Sequence, residues 1–86
     1  MTATAPPLTL ADLALHRPAT VRAIAPPPHA PEWAQRLAEI GFIEGEPVTL
    51  MARAWPGHDP LVVRIGDSTF ALRRAEARCI RVLTPS

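Results

Sequence analysis

Lysine and tyrosine are missing from this chain, cysteine occurs once, and two tryptophans and two phenylalanines are the only aromatic residues among 86 positions. The single thiol, Cys79, excludes an intramolecular disulfide. Stability must therefore come from packing or from a partner, as it does in reduced compartments, and the expected compartment is the cytoplasm. A basic n-region is also lacking, and Pro6, Pro7 and Asp12 interrupt the only apolar run near the start. Neither a signal peptide nor direct membrane insertion is readable there. The formal net charge of +1 gives too weak a field for nucleic-acid binding through phosphate neutralisation. All nine basic residues are arginine. That fits an arginine surface for acidic partners, but the simpler account is coding bias, since alanine, arginine and proline are raised together.

A chain of this length is one domain that buries about 60 to 65% of the surface exposed when unfolded, so its core is small. Residues 1–7 are small, polar and proline-bearing, and are expected to be a disordered tail; 8–83 form the domain and 84–86 a short C-terminal tail. The most informative stretch runs from Leu37 to Val48. Trp33, Leu37 and Ile40 share one helical face, Gly41 suits the left-handed position that ends a helix, and Phe42 can fold back on Leu37. Gly45 then suits the φ > 0 position of a type II turn over Ile43 to Glu46, and Pro47 opens a strand. The helix is expected from about Pro31 to Ile40, after a stiff extended link at Pro26, Pro27 and Pro28. That triple proline fits a ligand for an SH3 or WW domain less well than a connector between elements that must pack together.

Leu8 to Leu13 fits one helical turn. Thr20 to Ala25 is β-branched enough for a strand, but Val21 and Ile24 have opposite parity, which calls for a bulge or for cover on both faces. Val48, Leu50, Ala52 and Ala54 alternate with Thr49, Met51, Arg53 and Trp55 as a half-buried strand. A loop with two prolines and a glycine follows, then Leu61 to Ile65, the turn Gly66-Asp67, and Ser68 to Leu72 with Phe70 and Leu72 on one face. Arg73 to Arg78 supports a helical turn in which Arg73 and Glu76 pair at i, i+3. Ile80 and Val82 make a closing strand. The sum is a mainly β fold: a small, bent, SH3-like five-stranded barrel with an inserted α-helix and one or two short helical turns.

This pattern resembles the FeoA family, the small cytoplasmic SH3-like proteins of bacterial ferrous iron uptake. The residues that carry the likeness are Leu37 to Phe42 and Gly45 to Val48, Asp59-Pro60 with Val63 and Gly66, Leu72-Arg73 with Glu76-Ala77, and Ile80 to Val82. Leu37, Gly41, Phe42, Gly45 and Leu72 form its structural motif. Family members often carry proline where this chain has Glu44, and glycine before the first strand, where it has Arg17-Pro18. The resemblance implies a non-catalytic accessory role beside FeoB, a membrane transporter with a cytoplasmic GTP-binding domain. It is also similar to the C-terminal domain of repressors of the diphtheria-toxin-repressor type, which gives a second expectation, a metal-responsive regulatory domain.

No phosphate loop, nucleophile elbow or paired catalytic set is present, and Ser68 has no evident histidine partner. The expectation is that the chain is not an enzyme and requires no cofactor. Metal ligands are sparse: among His16, His29, His58, Asp59 and Cys79 none makes a Cys-x-x-Cys or a helical His pair. Adjacent His58 and Asp59 suit a weak divalent transition-metal site, either within the chain or completed by a second molecule, and the chain is expected to be a monomer or a weak, metal-bridged dimer. Cys79 reads as a small buried hydrophobe. For partner contact the candidates are Met51, Trp55, His58, Arg73 and Arg74. Two readings of Trp55 stand side by side: an exposed anchor next to Met51, or a residue covered with Met51 by the inserted helix.

Overall fold

The computed structural model describes residues 8–54 and 57–85. After a 3₁₀ turn at Leu10–Asp12, the chain forms β1 (Pro18–Ile24), α1 (Glu32–Ile40), β2 (Pro47–Arg53), β3 (Leu61–Ile65), β4 (Ser68–Leu72), α2 (Arg74–Ala77) and β5 (Ile80–Leu83). The five strands make one antiparallel sheet in the order β4-β3-β2-β1-β5. The mainly β, five-stranded architecture expected from the sequence is the one observed.

Local rules account for the helix stop. Gly41 sits at φ 128°, its N–H donates to the Ala38 carbonyl at 3.1 Å, and the Phe42 N–H donates to the Leu37 carbonyl at 3.0 Å. These are the two bonds of a Schellman motif, which satisfy carbonyls the helix leaves open. The motif delivers Phe42 and Leu37 into the same core, at 1% and 0% exposure. A type II turn follows, with Gly45 at φ 92° and the Glu46 N–H donating to the Ile43 carbonyl at 3.0 Å. Around Phe42 the core collects Leu10, Val21, Val48, Leu50, Leu61, Val63, Leu72 and Ile80.

Two strands depart from simple alternation. The register of β1 against β5 shifts between Val21 and Ala23, so the parity conflict of Val21 and Ile24 is resolved by a bulge. The strand also starts earlier than Thr20, at Pro18, because Pro18 and Ala19 pair with Thr49 and Val48 of β2. In β2 the register against β3 shifts between Leu50 and Ala52. Val48 and Leu50 are buried as alternation requires, whereas Met51, Ala52 and Ala54 are all half-buried and the strand ends at Arg53. Propensity and parity do not register an extra residue; the cross-strand ladder does.

The sheet has two unlike edges. Along β5, Thr9 bridges Arg81 and the Val82 N–H donates to the Leu8 carbonyl at 3.0 Å, so the N-terminal turn covers that edge. The turn is closed by Asp12, whose carboxylate accepts from the Thr9 N–H at 3.0 Å and from its hydroxyl at 2.9 Å. It is tied to β2 by the Arg53 guanidinium, which donates to the Leu13 carbonyl at 2.6 Å. At the opposite edge β4 pairs, among the described residues, only with β3.

Candidate functional site

Helix α1 is amphipathic: Leu37 is buried, Trp33 and Ile40 pack on the margin of the core, and Glu32, Gln35, Arg36 and Glu39 face outward. Trp33 is thus a half-buried residue and not the core residue its helical face suggests. Its indole lies edge-on to His29, with ring centroids 6.2 Å apart, and the Arg36 guanidinium sits 5.8 Å from its centroid. The latter geometry is that of a cation–π contact.

Arg36 reaches across to Glu76 on α2 and forms an ion pair with it. Among the described residues Glu76 is the one buried charged side chain, at 9% exposure. Its other carboxylate oxygen accepts the Arg73 backbone N–H at 3.0 Å, which caps α2. The expected side-chain pairing of Arg73 with Glu76 is therefore replaced: Glu76 uses the Arg73 backbone and takes its cation from α1. A carboxylate that leaves water must have both oxygens satisfied, and α1 and α2 together meet that condition.

Three neighbouring recesses line this junction. One, of about 630 Å³, is bounded by Asp59, Pro60, Ala71, Arg73 and Glu76. Another, of about 310 Å³, is walled by Ala25, Pro27, His29, Trp33, Ala75, Arg78 and Cys79. Between them Trp33, Arg36, Arg73 and Glu76 enclose about 230 Å³. Shared residues join the three into a band that is polar at the hairpin end and more apolar beside Trp33. The proline link between β1 and α1 supplies one wall through Pro27. Such a band can recognise a protein surface through an aromatic wall and arginine donors.

Of the residues singled out for partner contact, Arg73 lines the band, and Arg74 is drawn to the hairpin tip by donating its N–H to Asp59 Oδ1 at 3.0 Å. His58 is exposed beside Asp59 at φ 60°. Met51 lies apart, as the extra residue of the β2 bulge, and Trp55 lies outside the described residues. One oxygen of Asp59 is thus engaged within the chain. Among the described residues no three of His, Cys, Asp and Glu group as metal ligands. The Trp33–Arg36 part of the site was readable as an i, i+3 pair on α1, whereas its link to Glu76 spans 40 residues and carries no local signal.

Cys79 is 5% exposed and its Sγ donates to the Ala75 carbonyl at 3.3 Å. Desolvation pushes its thiol pKa up, so the neutral form dominates at neutral pH. Since the thiolate is the nucleophile, alkylation by iodoacetamide at pH 7 is expected to be at least about tenfold slower in the folded protein than in urea-unfolded chain. Equal rates would contradict an inert, packed thiol.

A family profile described as FeoA domain matches residues 8–83. No curated protein sequence matches the chain. Among solved structures, FeoA from Stenotrophomonas maltophilia in complex with zinc is 39% identical, with a TM-score of 0.78, over 87% of this chain and 88% of that one. It is described as a prokaryotic SH3 domain protein and a candidate activating factor of ferrous iron transport. Iron(II) transport protein A from Clostridium thermocellum is 30% identical, with a TM-score of 0.78, over 90% of this chain and 45% of that one. A manganese-dependent transcriptional repressor shares the fold, with a TM-score of 0.76 at 24% identity, over 96% of this chain and 44% of that one. With nearly its whole length matched by the family profile and the SH3-like sheet in place, the chain belongs to the FeoA family.

Proposed function

We propose that this FeoA-family chain is a non-catalytic, cytoplasmic accessory protein that modulates ferrous iron uptake by binding a FeoB-type membrane transporter. The observation that carries the reading is the family match over residues 8–83, together with the likeness to a protein described as a candidate transport activating factor. No helix among the described residues is long and apolar enough to cross a membrane, and the reading assigns transport itself to the partner. The contact surface is the band between α1 and α2, where Trp33 and Pro27 offer an apolar wall and the exposed Arg36, Arg73 and Arg78 offer donors. No cofactor is required for such contact. A divalent metal held by His58 and Asp59, with further donors from a second molecule, is an added element that the binding does not need.

The test is recovery of a detergent-solubilised FeoB-like transporter on this chain as bait, with and without ferrous iron under anaerobic conditions. Recovery in both conditions is the expected result. Recovery only with iron would give the His58–Asp59 pair a part in docking. Absence of recovery in both, with folded bait, would overturn the reading in favour of a soluble metal-responsive domain.

A further inference from the structure

The β4 edge carries an inference that does not rest on the transporter reading. In the β3–β4 hairpin Ile65 lies opposite Ser68 across the two-residue turn Gly66-Asp67, Val63 opposite Phe70 and Leu61 opposite Leu72. A two-residue hairpin makes Ile65 and Ser68 a hydrogen-bonded pair, and alternation then leaves the N–H and C=O groups of Thr69 and Ala71 directed away from β3. No backbone partner meets them among the described residues, and from Ser68 to Leu72 the strand carries no charge, proline or bulge that would discourage pairing. At Arg73 the edge closes, because the Arg73 N–H is taken by Glu76.

We propose that β4 pairs with β4 of a second copy in an antiparallel, two-fold symmetric register centred on Phe70. In that register Thr69 of each copy faces Ala71 of the other, which makes four backbone hydrogen bonds. The half-buried Phe70 side chains meet across the axis. The same register sets Asp67 of one copy opposite Arg73 of the other, twice. Both residues are exposed and neither has a side-chain ion-pair partner among the described residues. This charge complementarity selects a second copy over a generic strand. The paired segment is only five residues long, so the dimer is weak and concentration-dependent.

Sedimentation velocity between micromolar and millimolar protein, with chelator present throughout to exclude metal bridging, tests the register. The wild-type sedimentation coefficient is expected to rise from the monomer toward the dimer value. Thr69→Pro removes an outward N–H at an edge position that tolerates proline, and is expected to weaken association about tenfold or more at unchanged circular dichroism. Arg73→Asp is expected to weaken it as well, and Asp67→Arg combined with Arg73→Asp to restore it, a readout that survives even if the proline variant misfolds. A wild type that stays monomeric at millimolar concentration, or a dimer indifferent to both Thr69→Pro and the charge exchange, would overturn the proposal.

Discussion

Replacing Phe42 with alanine is expected to lower the unfolding free energy by about 3 to 5 kcal/mol, the range for truncating a fully buried phenylalanine. Phe42 is 1% exposed and belongs to the one core cluster that α1 and the strands share. The variant loses the transfer energy of the ring and leaves a cavity that the Schellman turn cannot close, because the backbone at Gly41 and Phe42 is held by bonds to Ala38 and Leu37. For a domain whose total stability is of order 5 to 15 kcal/mol this is a large fraction. Urea denaturation followed by tryptophan fluorescence checks it, with Phe42→Leu as the milder comparison. A loss below about 1 kcal/mol would mean that the helix stop is not anchored through this ring.

The second large effect is expected at Glu76. Glu76→Ala removes the α2 cap and the partner of Arg36 in one change. Loss of a cap costs about 1 kcal/mol. The ion pair adds a contribution at the low end of the charge-assisted range, because Arg36 keeps 54% side-chain exposure and can return to water. A total of about 2 kcal/mol is expected, with Glu76→Gln costing about half of it because the amide oxygen still caps. Arg36→Ala is expected to cost about 1 to 3 kcal/mol, because it leaves one oxygen of the buried Glu76 carboxylate without its cation. A double-mutant cycle on Arg36 and Glu76 in urea checks the partition, and a coupling near zero would remove the pair from the account of how α1 is held against α2.

These two residues also mark how much of the molecule was legible in the sequence. Phe42 was readable, because a helix stop and a type II turn are local rules written in Gly41, Gly45 and Pro47, and the two-residue turn at Gly66-Asp67 fixes the β3–β4 register in the same way. The arrangement around Glu76 was only half readable. Its capping of α2 lies within three residues, but its cation comes from α1, 40 residues earlier, and only the closing of the sheet brings the two together. The bulges in β1 and β2 were legible as a parity conflict in one case and silent in the other. Val21 and Ile24 conflict on their face, whereas the alternation from Val48 to Ala54 looks regular although an extra residue at Met51 breaks its register. Among the candidate contact residues, Arg73, Arg74 and the His58–Asp59 tip converge because β3 and β4 share a hairpin, while Met51 falls elsewhere with the bulge.

The proposed contact between the α1–α2 band and a FeoB-type transporter is open to direct measurement. The most direct measurement is a binding isotherm of the wild type and of Arg78→Glu with the purified, detergent-solubilised transporter. Arg78 is exposed on the rim of the apolar recess and makes no side-chain bond among the described residues, so the exchange spares the core. The account predicts saturable wild-type binding that weakens about tenfold in Arg78→Glu at an unchanged urea midpoint. A folded wild type that fails to bind, or a variant that binds as tightly as the wild type, would contradict it.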